Sequence, residues 1–404
     1  MVLLKFLLFA ATLSIEVLAA KSVPAKTYSK CQRKTKHPLQ HCPDGTLYVS
    51  QNDTSADFTS IQAAINSLPQ DDSPQVILIA AGTYREQLNV TRQGPLTLLG
   101  QTDNPWKGNV YSNVSYNSDP QNEVQVFHDA ANYQSSFPDN IETSVLAVGP
   151  TYNATKTGSG PTGFAVPADT PFGCSDFRVY NIDFRNEWAP RSSGPAHALG
   201  SGYANMGFYS CGFYSYQDTV YVGKLANAVM YDCIVAGQTD FLYGFGTLFI
   251  DQSTLLLRSC GGGITAWKGT NTTFDNKYGV YIANTNVIAT NTTVLEAQKG
   301  KCSLGRPWNS LHRSLFRNTY FDETILPAGY TIWSGANNFN NLTTMAVYET
   351  TGPGNNETAQ AASGVTEIWD KKQVKPYLRP VDVFMDTEGN QPNVDWIDPI
   401  LSRK

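Results

Sequence analysis

Apolar positions recur with two different periods along this chain, and the change from one to the other divides it. In DFTSIQAAINSLP, Ile61, Ala64, Ile65 and Leu68 follow helical spacing. Thr59 and Gln62 fit a Thr-x-x-Gln capping box, and Pro69 ends the segment. LYVSQ before it reads as a strand. After it comes QVILIAAGTYRE, an apolar strand run closed by a glycine turn, and then LTLLG, a second short strand.

Beyond these the helical period disappears, and short segments rich in β-branched and aromatic residues recur. Aligning the segments that begin at Tyr180, Tyr209, Tyr231, Ile250, Ile282 and Phe316 gives starts 29, 22, 19, 32 and 34 residues apart. The third position then reads Ile182, Cys211, Cys233, Gln252, Asn284, Asn318. A β-sandwich would place its strands about 8–12 residues apart. The longer period suits the coils of a parallel β-helix, in which each coil hydrogen-bonds to the next. The expected fold is therefore all-β, a solenoid with a short N-terminal helix and long surface loops. Thr102 to Pro150, polar and rich in Asn, Asp and Ser, is expected to be a surface excursion. Gly352 to Ser363 is linker-like, and the tail from Gly364 to Lys404 is expected to pack on the exterior.

That fold changes the meaning of YQDTVYVGKLANAVMYDCIVAGQTDFLYGFG. Asp218 and Asp240 stand 22 residues apart, and Cys211 and Cys233 each precede one of them by seven. If one coil takes that length, the aspartates occupy equivalent positions on adjacent coils, about 4.8 Å apart. They would face each other on one outer sheet, lined by Gln217, Tyr221, Phe241 and Tyr243. Aspartate is also common in turns. Two close carboxylates resist simultaneous ionisation, however, which makes one a proton donor and the other a nucleophile or base.

Composition adds a compartment. MVLLKFLLFAATLSIEVLAA has an early lysine, an apolar run and small residues at its end, so residues 1–20 read as a secretory signal peptide. Eight Asn-X-Ser/Thr sequons agree with a secreted glycoprotein: Asn52, Asn89, Asn113, Asn153, Asn271, Asn291, Asn341 and Asn356. Residues 21–45 form a basic arm or removable propeptide, and 46–404 a single domain. Seven cysteines leave at least one unpaired, with Cys31–Cys42 the preferred disulfide, and their spacing does not resemble a zinc site. The net charge of −5 argues against a nucleic-acid partner, and no apolar run after the leader is long enough for a membrane span.

A cationic motif completes the set. In Cys302-Ser-Leu-Gly-Arg-Pro-Trp308, Gly305 and Pro307 fix the backbone around Arg306. A guanidinium there could hold a carboxylate ionised through a bidentate contact, and the Trp308 face suits a sugar ring.

GTYRE (82–86), QDTV (217–220), DFLYG (240–244) and LGRPW (304–308), in that order, resemble the pectin methylesterases, secreted right-handed parallel β-helix enzymes; the helix at 58–65 resembles theirs too. The resemblance implies Asp240 as nucleophile on a methyl ester of pectin (homogalacturonan), and Asp218 as acid and then base. It implies Arg306 as the partner of Asp240, and Gln217 as oxyanion donor. Trp308, Phe241, Tyr221 and Thr83 become candidate substrate contacts. No cofactor or metal is implied, and a monomer is expected.

There is one departure. The family's Gln-Ala-Val-Ala-Leu reads Pro195-Ala-His-Ala-Leu199 here, so a second oxyanion glutamine has become a proline. His197, on the same strand face, is the candidate replacement donor; a histidine in ordinary packing is the alternative. The loss also keeps open a relative with altered ester specificity or weak activity. A non-catalytic polysaccharide-binding β-helix is a further alternative.

Overall fold

The computed structural model describes residues 25–402 except 106–110, 113, 119, 158–168, 270–277, 334–337 and 387–389. The leader at 1–20, the first residues of the basic arm, Asn113 and Asn271 lie outside the described residues. The strands make three parallel sheets, with eleven strands in sheet A, eight in sheet B and six in sheet C among the described residues. Each full coil runs A, then B, then C. Asn205–Tyr209, Gly212–Tyr214 and Val220–Val222 make one coil, and Asn227–Tyr231, Ile234–Thr239 and Leu242–Gly244 make the next. The result is a right-handed parallel β-helix, the sense of winding that twisted parallel strands impose.

Register settles which residues are inside. Tyr180, Tyr209 and Tyr231 pair as the repeat alignment expects, but Tyr231 then pairs with Asp251, and Ile250 pairs with Met230. The alignment from Ile250 onward is thus one residue out. A one-residue slip exchanges the two faces of a strand, and tyrosine and isoleucine both read as apolar in a pattern. Val179, Phe208, Met230, Ile250, Ile282, Phe316 and Val347 stack inside the solenoid. The sharper repeat is a ladder of left-handed residues between sheets A and B. Asn181, Ser210, Asp232, Gln252, Asn284, Asn318 and Glu349 all have φ between 47° and 54°. Short polar side chains tolerate this conformation better than most, which accounts for much of the row.

The outer face of sheet A is covered. Tyr180, Tyr209, Tyr231, Phe249 and Tyr281 pack against Val374, Phe384, Trp396, Ile397 and Leu401 of the tail and Tyr28 of the arm. The described part of the basic arm is docked rather than solvated. Its helix Ala25–Cys31 is closed by the Cys31–Cys42 disulfide, and the buried Gln32 amide donates to Gly100 O and Asn181 Oδ1, both at 3.0 Å. Lys34 pairs with Asp103 and Glu123.

The helix Ile61–Ser67 closes the N-terminal end of the coils, burying Ile61, Ala64 and Ile65. Its N-cap is Ser60 and not Thr59. Glu86 takes the place of the expected capping box by accepting from Ile61 N and Gln62 N, each at 2.9 Å. Unsatisfied amides of a first turn find whichever acceptor the tertiary structure brings. GTYR is itself a strand, Gly82–Arg85 of sheet B, with Tyr84 buried. The stretch from Thr102 to Pro150 is only partly an excursion. It supplies Val124–Phe127 to sheet B and Leu146–Val148 to sheet C, strands too short to stand out among polar neighbours. No helix among the described residues is long and apolar enough to cross a membrane.

The observed register makes Ile250 a core residue. Ile250→Ala is expected to cost about 2–5 kcal/mol in urea unfolding, and Asp251→Ala much less. A larger loss at Asp251 than at Ile250 would put the faces the other way round.

Candidate active site

The pairing of Gln217 with Thr239 and of Val220 with Leu242 sets Asp218 and Asp240 at equivalent points of adjacent coils. They sit on the bend between sheets B and C rather than on a sheet face, and both are left-handed, with φ of 59° and 47°. Asp218 N donates to Thr239 O at 3.0 Å, and Asp240 N donates to Gly263 O at 2.7 Å, so each aspartate is tied to the coil beyond it. Left-handed backbone outside glycine costs about 1–2 kcal/mol per residue. Here the inter-coil ladder holds it in place.

Arg306 reaches Asp240 from further along the solenoid. Its Nε donates to Oδ1 at 3.0 Å and its Nη2 to Oδ2 at 2.6 Å, while Gly263 N donates to Oδ1 at 3.1 Å. Oδ1 therefore accepts two bonds, and Oδ2 keeps a lone pair for attack. The guanidinium lies 3.7 Å from the centre of the Trp333 ring, which fixes its plane. Gly262 leaves the room for this pair. At φ +63° it has no Cβ, and one placed there would come within 2.6 Å of Asp240 Oδ1 and 2.7 Å of Arg306 Cζ. The Cys260–Cys302 disulfide ties the glycine segment to the start of the Arg306 loop.

The two carboxyls differ in their surroundings. Burial raises Asp218 well above the usual carboxylate range, and the charge of Asp240 raises it further, with Arg306 opposing. Burial raises Asp240 too, but Arg306 and the Gly263 amide stabilise its charge. The shared proton therefore resides on Asp218, and Asp240 is the anion.

Gln217 is half-buried beside Asp218. Its Oε1 accepts from Ser192 Oγ at 2.8 Å, which leaves its amide N–H groups to donate elsewhere. Ser192 N also donates to Gln238 Oε1 at 3.1 Å, so the loop before Pro195 is fastened to both aspartate-bearing coils. Trp308 is half-buried, its ring against Tyr243 and 3.7 Å from Lys268 Nζ. Thr83 is exposed on sheet B, three strands along from Gly212–Tyr214, and lines a groove of about 800 Å³ with Tyr214, Tyr216 and Arg258.

Three candidates do not face a groove. Phe241 is 0% exposed and belongs to the interior core. Tyr221 is 0% exposed on the outer side of sheet C, with its hydroxyl donating to Lys156 O at 3.2 Å. His197 is also fully enclosed, with Nδ1 bonded to Ser144 Oγ and Nε2 to the Tyr243 hydroxyl. Burial lowers its pKa to about 3, so it is neutral, and both ring nitrogens are occupied. It cannot replace the missing glutamine as a free donor. Sequence reasoning overlooked Gly262, Gly263, Trp333 and Ser192. Only the Gly261-Gly262-Gly263 run carried a visible signal, a demand for close backbone approach.

A buried carboxyl pair on a parallel β-helix, one member clamped by an arginine, offers the groups that nucleophilic and acid–base hydrolysis requires. A family model described as Pectinesterase matches residues 152–387, more than half of the chain. A protein of Neosartorya fischeri named Probable pectinesterase A is 29% identical over 290 residues, covering 72% of this chain and 74% of its own. A solved structure of the Aspergillus niger pectin methylesterase superposes with a TM-score of 0.64 at 24% identity, covering 89% of this chain and 98% of its own. The carrot pectin methylesterase gives 0.63 at 21% identity, covering 84% and 93%. The chain belongs to the pectinesterase family.

Two outcomes test this geometry. Asp218 has its pKa raised on folding, so the folded chain keeps a proton that the unfolded chain has lost. Its contribution to stability is full below about pH 4 and is lost as pH rises through the folded value. Asp218→Asn is therefore expected to be more stable than the parent by about 1–3 kcal/mol at neutral pH, the gap closing in acid; thermal unfolding across pH measures it. Gly262→Ala is expected to lower kcat about 10–100-fold by displacing the Asp240–Arg306 pair, which steady-state kinetics would read.

Proposed function

We propose that the chain hydrolyses the methyl esters of homogalacturonan, releasing methanol and leaving free galacturonate carboxylates. The observation that carries the proposal is the placement of Asp218 and Asp240 at equivalent points of adjacent coils, with the bidentate Arg306 clamp on Asp240. Asp240 Oδ2 attacks the ester carbonyl carbon, and the Gln217 amide donates to the oxyanion that forms. Asp218 gives its proton to the departing methoxide, leaving an acyl-enzyme anhydride on Asp240. Asp218, now ionised, takes a proton from the water that attacks this anhydride, and both aspartates return to their starting state. Arg306 keeps Asp240 ionised and fixes its plane, and Trp308 flanks the bound sugar.

The alkaline limb of the rate profile then belongs to loss of the Asp218 proton, and the acid limb to protonation of Asp240. The leader at 1–20 directs secretion and is removed. The arm stays docked from Ala25 onward, and 46–404 acts as a single extracellular domain, a monomer. The sequons and the two disulfides among the described residues support an oxidising, extracellular setting.

Pro195 favours a second reading, an esterase with weaker turnover or a different ester preference. Pro195 occupies the rung before Gln217, since Ala196 N donates to Gln217 O at 3.1 Å. A proline there has no amide to offer. Loss of one oxyanion donor costs about 10²–10³ in rate.

The test is methanol release from highly methylated pectin. The parent chain is expected to release it, and Asp240→Asn to lose at least about 10³-fold of the rate while folding normally. A folded parent that releases no methanol overturns the reading, and turnover confined to other esters selects the second one.

A further inference from the structure

Most large apolar side chains of this chain are enclosed, which makes one exposed pair conspicuous. Tyr133 is 47% exposed and Trp188 44% exposed. Their ring centroids stand 5.8 Å apart at an interplanar angle of 33°. Of the exposed large hydrophobic side chains among the described residues, these two are the pair in ring contact. They come from separate excursions. Tyr133 lies between the strands Val124–Phe127 and Leu146–Val148, and Trp188 between Ile182–Arg185 and Leu199–Ser201.

Both excursions are fastened at the catalytic coils. Asn132 N donates to Pro195 O at 2.8 Å, which joins the Tyr133 loop to the rung before Gln217. Ser192, four residues after Trp188, bonds to Gln217 and Gln238. Trp188, Arg191 and Gln217 line one shallow depression. The rungs run Ala196, Gln217, Thr239, Gly263, Gly305 along the solenoid, joined by backbone bonds, a bridge and the close Gly263–Gly305 approach. At about 4.8 Å per rung the first and last stand roughly 19 Å apart. The Asp218–Asp240 pair is thus bracketed. Trp308 and Trp333 stand beside the last rung, and Tyr133 and Trp188 beside the first.

We propose that Tyr133 and Trp188 form a sugar-binding platform at the Pro195 end of the groove, which holds a uronate residue to one side of the ester being cleaved. The paired faces supply the flat apolar surface that a pyranose ring stacks upon, at little entropic cost because aromatic side chains have few rotors. Arg191, exposed on the same loop, supplies a positive charge for the carboxyl side of an acidic polysaccharide. The platform anchors substrate where Pro195 has removed a polar contact, and binding made away from the reacting bond helps to position that bond. This rests on the homogalacturonan reading given above.

The experiment separates the two ideas by measuring binding without turnover. In the Asp240→Asn background, calorimetry with a partly methylated hexagalacturonate is expected to show at least tenfold weaker binding when Tyr133→Ala and Trp188→Ala are combined. A digalacturonate, too short to span both ends, is expected to lose much less. Ile368→Ala, equally exposed but on sheet A, is the control for loss of surface area and is expected to bind as its parent does. Thermal midpoints are expected to be unchanged in all of them. If the double variant binds the hexamer as its parent does, or the parent does not bind it at all, the platform is overturned. If the parent binds but the unmutated chain releases no methanol, the esterase reading fails and the platform stands.

Discussion

The structure depends on one constraint: every backbone N–H and C=O in a coil must be matched by the coil above or below it. Buried amides left without partners are costly, and a parallel ladder satisfies them only when successive coils stay in register. Here sheet A keeps its register from the strand at Leu47–Val49 to the strand at Glu367–Ile368, across large differences in loop length, and sheet B shifts between Gly237 and Thr239, just before Asp240. The loops vary because they lie outside the ladder. The turn residues do not vary freely, since seven successive coils, from Asn181 to Glu349, leave sheet A through the same left-handed corner.

That constraint generates the active site. Stacking two Asp-bearing bends places two carboxyls where water would not leave them, and their mutual repulsion together with burial forces one to hold a proton. The asymmetry between them comes from the two coils that follow. Arg306 and Gly263 N–H meet Asp240 and not Asp218, so the charge settles on Asp240. The ladder thus sets the spacing, and the guanidinium makes the two carboxyls unequal. Gly262 and the Cys260–Cys302 disulfide are the local conditions for that contact, one by leaving space and the other by tying the two segments together.

The departure at Pro195 also reads differently in three dimensions. His197, two residues on, is the substitute donor that sequence spacing alone suggests. In the folded chain it is sealed under sheet C against Ser144 and Tyr243, a neutral packing histidine. The same loop instead brings Ser192 to Gln217, holding the oxygen end of its amide so that the nitrogen end can donate. Gln217, the proposed oxyanion donor, is thereby held in one orientation beside Asp218.

Much of this was legible from residues in a line. The repeat length pointed to coils, the 22-residue interval paired Asp218 with Asp240, and Gly305-Arg306-Pro307 marked a positioned cation. Local order of this kind survives into the fold because a solenoid repeats at nearly constant chain length. The faces of strands were not legible. Tyr231 and Ile250 are both apolar, and only pairing shows that the first points outward and the second inward. Nor was burial at the site: Phe241 and Tyr221 flank the aspartates in sequence, yet alternation about the bend turns one into the core and the other beneath an excursion. Sequence by itself determined the coil period and the kinds of chemical group available. Tertiary structure decided which groups meet, because contacts between coils depend on register and on loops that return from far along the chain, and neither leaves a local signal.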